Sequence, residues 1–81
     1  MDMTEKMQHI HLVGIGGAGL SAIATVLHEQ GYKVTGSDMA ESDMTAWLRK
    51  QGVTVFVGHR PENITEPDVV VISSAAVWRA R

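Results

Sequence analysis

Apolar and polar positions along this chain alternate between a strand period and a helix period. His9 to Val13 reads as a short strand. After a glycine-rich stretch, Leu20, Ile23, Ala24 and Leu27 fall at i, i+3, i+4 and i+7. That is one apolar stripe on a helix running from Leu20 to Gln30. Gly31 follows where a left-handed C-cap belongs. Lys33 to Asp38 is the second strand. Ser42 or Asp43 caps a second helix, Met44 to Gln51, which Gly52 ends. Met44, Trp47, Leu48 and Gln51 define its inner side and put Trp47 in the core. Val53 to Val57, rich in β-branched residues, is the third strand. Gly58 to Pro67 is a polar connection with room for one helical turn after Pro61. Asp68 to Ser73 is the fourth strand, and its continuous apolar run implies burial on both faces, as in parallel sheets. Residues 1–8 show no periodicity and read as a flexible leader, and 77–81 as a tail.

This alternation predicts an α/β fold: a Rossmann-like parallel sheet of about four strands in the order 3-2-1-4, with two main helices. A single domain over 9–76 follows. Both helices then lie on one side of the sheet. The other face of the third and fourth strands is expected to be bare unless further chain or a second copy covers it. Self-association is therefore expected.

The segment between the first strand and the first helix is Val13-Gly14-Ile15-Gly16-Gly17-Ala18-Gly19, four glycines in seven residues. Gly14, Gly16 and Gly19 fit G-x-G-x-x-G, placed between a strand and a helix. Gly14 permits a sharp turn with φ > 0, Gly16 lets a phosphate approach the backbone, and Gly19 lets the helix pack close. The first-turn N–H groups and the helix dipole then face an anion. Ser21, in that first turn, either assists the anion or satisfies a backbone group. Asp38 stands 19 residues after Gly19, where an acid accepts hydrogen bonds from a ribose hydroxyl in dinucleotide enzymes; capping the turn after the strand is the alternative. The 3-2-1-4 order brings the fourth strand beside the first, so Ser73, Ser74 and Ala75 come next to the glycine loop. His9 and His11 flank Ile10 on the strand, with no local set of further ligands for a metal.

Composition narrows the field. The 81 residues carry a net charge of −2 and no basic cluster, which argues against a nucleic-acid partner. No apolar run approaches a membrane span. The polar N-terminus is unlike a signal peptide, so a cytoplasmic location is expected. The absence of cysteine excludes disulfides and thiolate chemistry.

The run His9-Ile10-His11-Leu12-Val13-Gly14-Ile15-Gly16-Gly17-Ala18-Gly19-Leu20-Ser21 resembles the opening of the UDP-N-acetylmuramate–L-alanine ligases, members of the Mur ligases of peptidoglycan synthesis. Gly36-Ser37-Asp38, Gly58-His59-Arg60-Pro61-Glu62-Asn63 and Val70-Val71-Ile72-Ser73-Ser74-Ala75 continue the likeness in order, so it covers about residues 9–76. The resemblance implies a first domain that holds the UDP part of UDP-N-acetylmuramate, followed by domains for ATP with Mg2+ and for the amino acid. In that reaction ATP phosphorylates the substrate carboxylate, and the amine of L-alanine displaces phosphate from the acyl phosphate. Carried over by residue, Gly14, Gly16, Gly17, Ala18 and Gly19 lie at the diphosphate. Ser37 and Asp38 lie toward the uridine, and His59, Ser73, Ser74 and Ala75 line the same cleft. No G-x-x-x-x-G-K-[ST] loop is present, so the chain reads as an N-terminal piece that binds substrate and catalyses nothing alone, with no catalytic residue or metal site of its own.

Two other readings fit the glycine loop and Asp38: an NAD(P)-binding domain of an oxidoreductase, and a non-catalytic nucleotide-sensing module. The Gly58-His59 and Ser73-Ser74-Ala75 blocks favour the ligase reading over both. Fold alone does not separate them.

Overall fold

A computed structural model describes residues 8–72 and 76–79. The elements run β1 (His9–Val13), α1 (Ala18–Glu29), β2 (Lys33–Asp38), α2 (Asp43–Gln51), β3 (Thr54–Val57), a 3-10 turn (Pro61–Asn63), β4 (Val69–Ile72) and β5 (Ala76–Arg79). Strand order is β3-β2-β1-β4-β5. The first four strands pair in parallel in the expected 3-2-1-4 order. The fifth is new: residues 77–79, expected to belong to a tail, join Ala76 in an edge strand antiparallel to β4, with Ile72 opposite Ala76 and Val69 opposite Arg79. Residues 1–7 of the leader, the Ser73–Ala75 segment and residues 80–81 of the tail lie outside the described residues.

Strand alternation sends Ile10 and Leu12 of β1 to one face, with Val34 of β2 and Val55 of β3 in register beside them. These residues form one buried cluster with Ile15, Ala24 of α1, Leu48 of α2 and Val53. Both helices therefore cover the same face. Leu12, Ile15 and Leu48 are fully buried, each worth about 1.5–3 kcal/mol against exposure.

The helix stripes are narrower than the apolar pattern implied. On α1 the buried positions are Ser21 and Ala24, flanked by half-buried Leu20 and Leu27. Ile23, expected inside, is 46% exposed. On α2 the buried residues are Thr45 and Leu48, while Trp47 is 43% exposed and Gln51 lies at the surface. Trp47 is therefore not a core residue. Small Thr45 faces the glycine loop, and that close approach turns α2 so that the larger Met44 and Trp47 point outward.

The helix ends follow their sequence signals. Gly31 takes φ +94° and Gly52 φ +105°. At both ends a chain reversal returns an N–H to the last turn, Tyr32 to Leu27 O and Val53 to Leu48 O, each at 3.1 Å. Ser42 caps α2 reciprocally with Thr45: the Thr45 N–H donates to Ser42 Oγ at 3.2 Å, and the Ser42 N–H to Thr45 Oγ1 at 2.9 Å. Arg49 ties α2 to β3 by donating to Val55 O at 2.8 Å and pairs with Glu41. With the Thr45 hydroxyl, that pairing holds the Glu41 carboxyl below its ordinary range.

The close-approach glycine is not the one the motif suggested. A Cβ on Gly19 would meet nothing within 4 Å, so Gly19 does not set the helix-to-strand distance. Gly36, in the middle of β2, does. A Cβ there would lie 2.5 Å from Ile15 Cδ1, 2.7 Å from Ile15 Cβ and 2.8 Å from Leu12 O.

The expectation of a bare opposite face concerned β3 and β4; between them, on β1 and β2, that face is polar and buried. His9, His11, Thr35 and Ser37 are all buried there. Thr35 Oγ1 lies 2.7 Å from both His9 Nε2 and His11 Nδ1. The hydroxyl has one proton, so it donates to one ring and accepts from the other. The connection after β3 crosses on this side, placing His59 Nδ1 at 2.7 Å from Ser37 Oγ. At its far end the His9 N–H donates to Asp68 Oδ2 at 2.7 Å, and the Asp68 N–H to His9 O at 2.8 Å. At the other end of the sheet Val57 and Ile72, the last residues of β3 and β4, are exposed.

Candidate nucleotide site

The site lies where β1, β2 and β4 end together. Val13 pairs with Ser37 on one side and Ile72 on the other, so strand order reverses at the tip of β1. Ligands of open α/β sheets bind in the crevice at that point.

Gly14 leaves β1 at φ +88°, a conformation that penalises any side chain. The Gly14 and Ile15 N–H groups both donate to Ser37 O, at 2.8 and 3.0 Å. This anchors the loop to β2 and drops Ile15 into the core. The Gly16 N–H donates to Asp38 Oδ2 at 2.8 Å, and the Gly17 N–H to Gly14 O at 3.0 Å. Every backbone donor from Gly14 to Gly17 is thus held within the chain.

The donors of Ala18, Gly19 and Leu20 differ. They are the first three N–H groups of α1, and none finds an acceptor among the described residues. Gly17 offers no side-chain cap, and the first turn contains no acid. Ala18 and Gly19 are exposed. Ser21, buried one position on, directs its hydroxyl to Ala18 O at 3.0 Å, so it satisfies the backbone. Three N–H groups without an acceptor among the described residues, at the positive end of a 12-residue helix, are a candidate seat for an anion.

Around this seat the structure brings together most of the expected residues. Ser37 is buried, and its hydroxyl bonds exposed His59, so these two act as one unit. Asp38 projects from the tip of β2 over the loop. Its second oxygen, Oδ1, has a long contact of 3.4 Å from the Ala40 N–H. Gly16 is tight for an internal reason: a Cβ there would meet Asp38 Oδ2 at 2.8 Å and Thr45 Cγ2 at 3.1 Å. Ser73, Ser74 and Ala75 follow Ile72 and lie outside the described residues.

Sequence reasoning passed over Thr35 and Thr45. The alternation of Thr35 and Ser37 with Val34 and Gly36, read against His9 and His11, carries the signal for a polar layer. His11 sits in that layer, and its Nε2 has no partner among the described residues. Burial, and then the neighbouring His9 and His59, pushes its pKa below the ordinary histidine value. Among the described residues no group of three or more metal-ligating side chains converges, and no helix is long and apolar enough to cross a membrane. A cavity of about 320 Å3 at the opposite end of the sheet touches Gly31, Lys33, Gly52 and Thr54. It lies at the carboxyl ends of both helices, where the dipoles disfavour an anion.

Known proteins carry the same pattern. Residues 9–80 match the family model described as Mur ligase family, catalytic domain. A UDP-N-acetylmuramate–L-alanine ligase of Legionella pneumophila (strain Corby) is 57% identical over 70 residues, covering 86% of this chain and 15% of its own length. That of Alkaliphilus metalliredigens is 53% identical over the same coverage. Among solved structures, the UDP-N-acetylmuramate–alanine ligase of Thermotoga maritima superposes with a TM-score of 0.79 at 44% identity, over 88% of this chain and 16% of the other. A murein peptide ligase of Psychrobacter arcticus gives 0.75 at 34% identity, over 80% and 14%. The chain thus spans about 15% of the length of the curated relatives it matches. With its glycine loop, its 3-2-1-4 sheet and 72 consecutive residues on the family pattern, it belongs to the Mur ligase family.

Proposed function

We propose that this chain is the UDP-N-acetylmuramate-binding part of a ligase that adds L-alanine to that sugar nucleotide in peptidoglycan synthesis. The observation that carries the reading is the first turn of α1 at the strand-order reversal, whose Ala18, Gly19 and Leu20 N–H groups have no acceptor among the described residues. The diphosphate rests there, against Gly14, Gly16 and Gly17. Ser37, Asp38 and His59 lie toward the nucleoside, and Ser73, Ser74 and Ala75 close the β4 side. ATP and Mg2+ belong to the part of such a ligase that this sequence does not contain, because no phosphate loop of the G-x-x-x-x-G-K-[ST] form occurs in it. There the carboxylate takes the γ-phosphoryl group, and the alanine amine displaces inorganic phosphate to leave the amide. The chain works in the cytoplasm on this reading. Any self-association uses the face of β3 and β4 that the helices leave uncovered.

The test is a calorimetric or NMR titration with UDP, UDP-N-acetylmuramate and NAD. UDP-N-acetylmuramate and UDP should bind and NAD should not. A preference for NAD would overturn the reading in favour of an oxidoreductase domain.

A further inference from the structure

The contact between Asp38 and the loop gives that carboxylate a second task. We propose that Asp38 is a gate that makes the glycine loop discriminate nucleoside diphosphates from bare inorganic phosphate and pyrophosphate. The inference rests on the nucleotide reading above and goes beyond it by naming what the site rejects.

The argument begins from donors. Gly16 is the loop position where backbone must lie open to a phosphate, yet its N–H already donates to Asp38 Oδ2 at 2.8 Å. The carboxylate lies so close over Gly16 that a methyl group would not fit between them. An anion approaching the first turn of α1 therefore meets an anion of the protein beside its seat. Two like charges about 5 Å apart at a partly exposed site repel by enough to cost on the order of five- to tenfold in affinity. The other carboxylate oxygen is weakly held, its contact being the 3.4 Å approach of the Ala40 N–H. A ligand that brings hydroxyl donors with its phosphates offsets the repulsion by donating to that oxygen. Inorganic pyrophosphate has no such group and bears the repulsion in full. Asp38 thereby acts as a specificity residue at the seat.

The full 81-residue chain and its Asp38→Asn and Asp38→Ala variants are titrated with inorganic pyrophosphate and with UDP, and amide hydrogen exchange at Gly16 is followed by NMR. Asn keeps the shape and an acceptor oxygen while removing the charge, and Ala removes both. In the wild type the Gly16 amide should exchange slowly, and in Asp38→Ala it should exchange fast. Pyrophosphate should bind both variants about five- to tenfold more tightly than wild type, while UDP gains nothing or weakens, so the preference for UDP shrinks. Variants that bind pyrophosphate no better than wild type would overturn the gate, as would an unprotected Gly16 amide in the wild type. If none of the three proteins binds UDP or pyrophosphate, the nucleotide reading fails as well. A protected Gly16 amide would then show Asp38 to be a brace of the turn alone, and the gate would fall with it.

Discussion

Gly36→Ala should destabilise the fold more than any alanine placed in the glycine motif's helical half. The added methyl meets three atoms of two kinds. Ile15 Cδ1, at 2.5 Å, is the end of a side chain and can rotate away. Ile15 Cβ at 2.7 Å and Leu12 O at 2.8 Å belong to the loop root and to β1, and cannot. Ordinary contacts begin near 3.4 Å, so the strand or the loop must shift by more than half an ångström. Overpacking of this kind costs about 1–3 kcal/mol, and the upper half applies because backbone is involved. The reduced freedom of alanine in the unfolded chain returns about 0.4–1 kcal/mol. The net loss is about 2 kcal/mol, from a total on the order of 4–12 kcal/mol for a domain of this size. Urea unfolding followed by circular dichroism reads it directly: with a slope near 1 kcal/mol/M, the midpoint should fall by about 2 M. Gly19→Ala is the control. Its Cβ meets nothing within 4 Å, and it lies within α1, so the midpoint should hold or rise, by up to about 1 M for a gain of about 1 kcal/mol. Equal midpoints for the two variants would refute the assignment of close packing to Gly36.

Thr35→Val keeps the shape and deletes the hydroxyl shared by His9 and His11, leaving two buried ring nitrogens unpartnered; a loss of about 2–4 kcal/mol in the same urea assay is expected. Ser42→Ala removes one half of the reciprocal cap on α2 and should cost about 1 kcal/mol, read as a lower melting temperature. Stability should also fall with acid. His11 is held neutral by burial, whereas the unfolded chain takes up that proton near pH 6.5. Its contribution is complete above pH 6.5 and is lost as pH falls from there toward the lowered folded value, with a slope of at most about 1.4 kcal/mol per pH unit. Urea midpoints from pH 8 to 5 measure this, and a flat profile would contradict it. Gly16→Val drives a branched side chain into Asp38 and Thr45; UDP-N-acetylmuramate binding should drop at least tenfold in protein that circular dichroism shows to be folded.

The fold was legible because its signals are local. Strand runs, capping Ser42, left-handed Gly31 and Gly52 and the motif turn at Gly14 each act within a few residues, and together they imply the 3-2-1-4 order. What could not be read was set by neighbours far along the chain. Trp47 and Ile23 lie on apolar stripes, but the sheet and loop admit only the smaller Thr45 and Ala24. Gly36 looks like an ordinary glycine in a strand until Ile15 is folded over it. The antiparallel β5 is invisible because Ala76 to Arg79 lack strand alternation, and pairing with β4 supplies the order. At the site, the motif placed the turn out of β1 and the first turn of α1. Which N–H groups stay open depends on Ser37 O and Asp38, which arrive more than 20 positions later.

The placement of β1 has a consequence in time. Its partner β2 begins 24 residues after it, His9 opposite Lys33, whereas β4 pairs Val69 with Ile10, 59 residues on. During synthesis the β3-β2-β1 half can assemble once Val57 is available. From then until Val69 to Ile72 emerge, the central strand is an edge strand, with its row of N–H and C=O groups unpaired on one side. At ordinary elongation rates this lasts about one second. An open edge next to Ile10 and Leu12 is a template for pairing with another chain. The double hydrogen bond between Asp68 and the His9 backbone lies at the entrance of β4 and fixes where that strand docks. Loss of the Asp68 carboxylate should therefore show first in the yield of soluble protein made at high expression, before it shows in the melting temperature of the protein that folds.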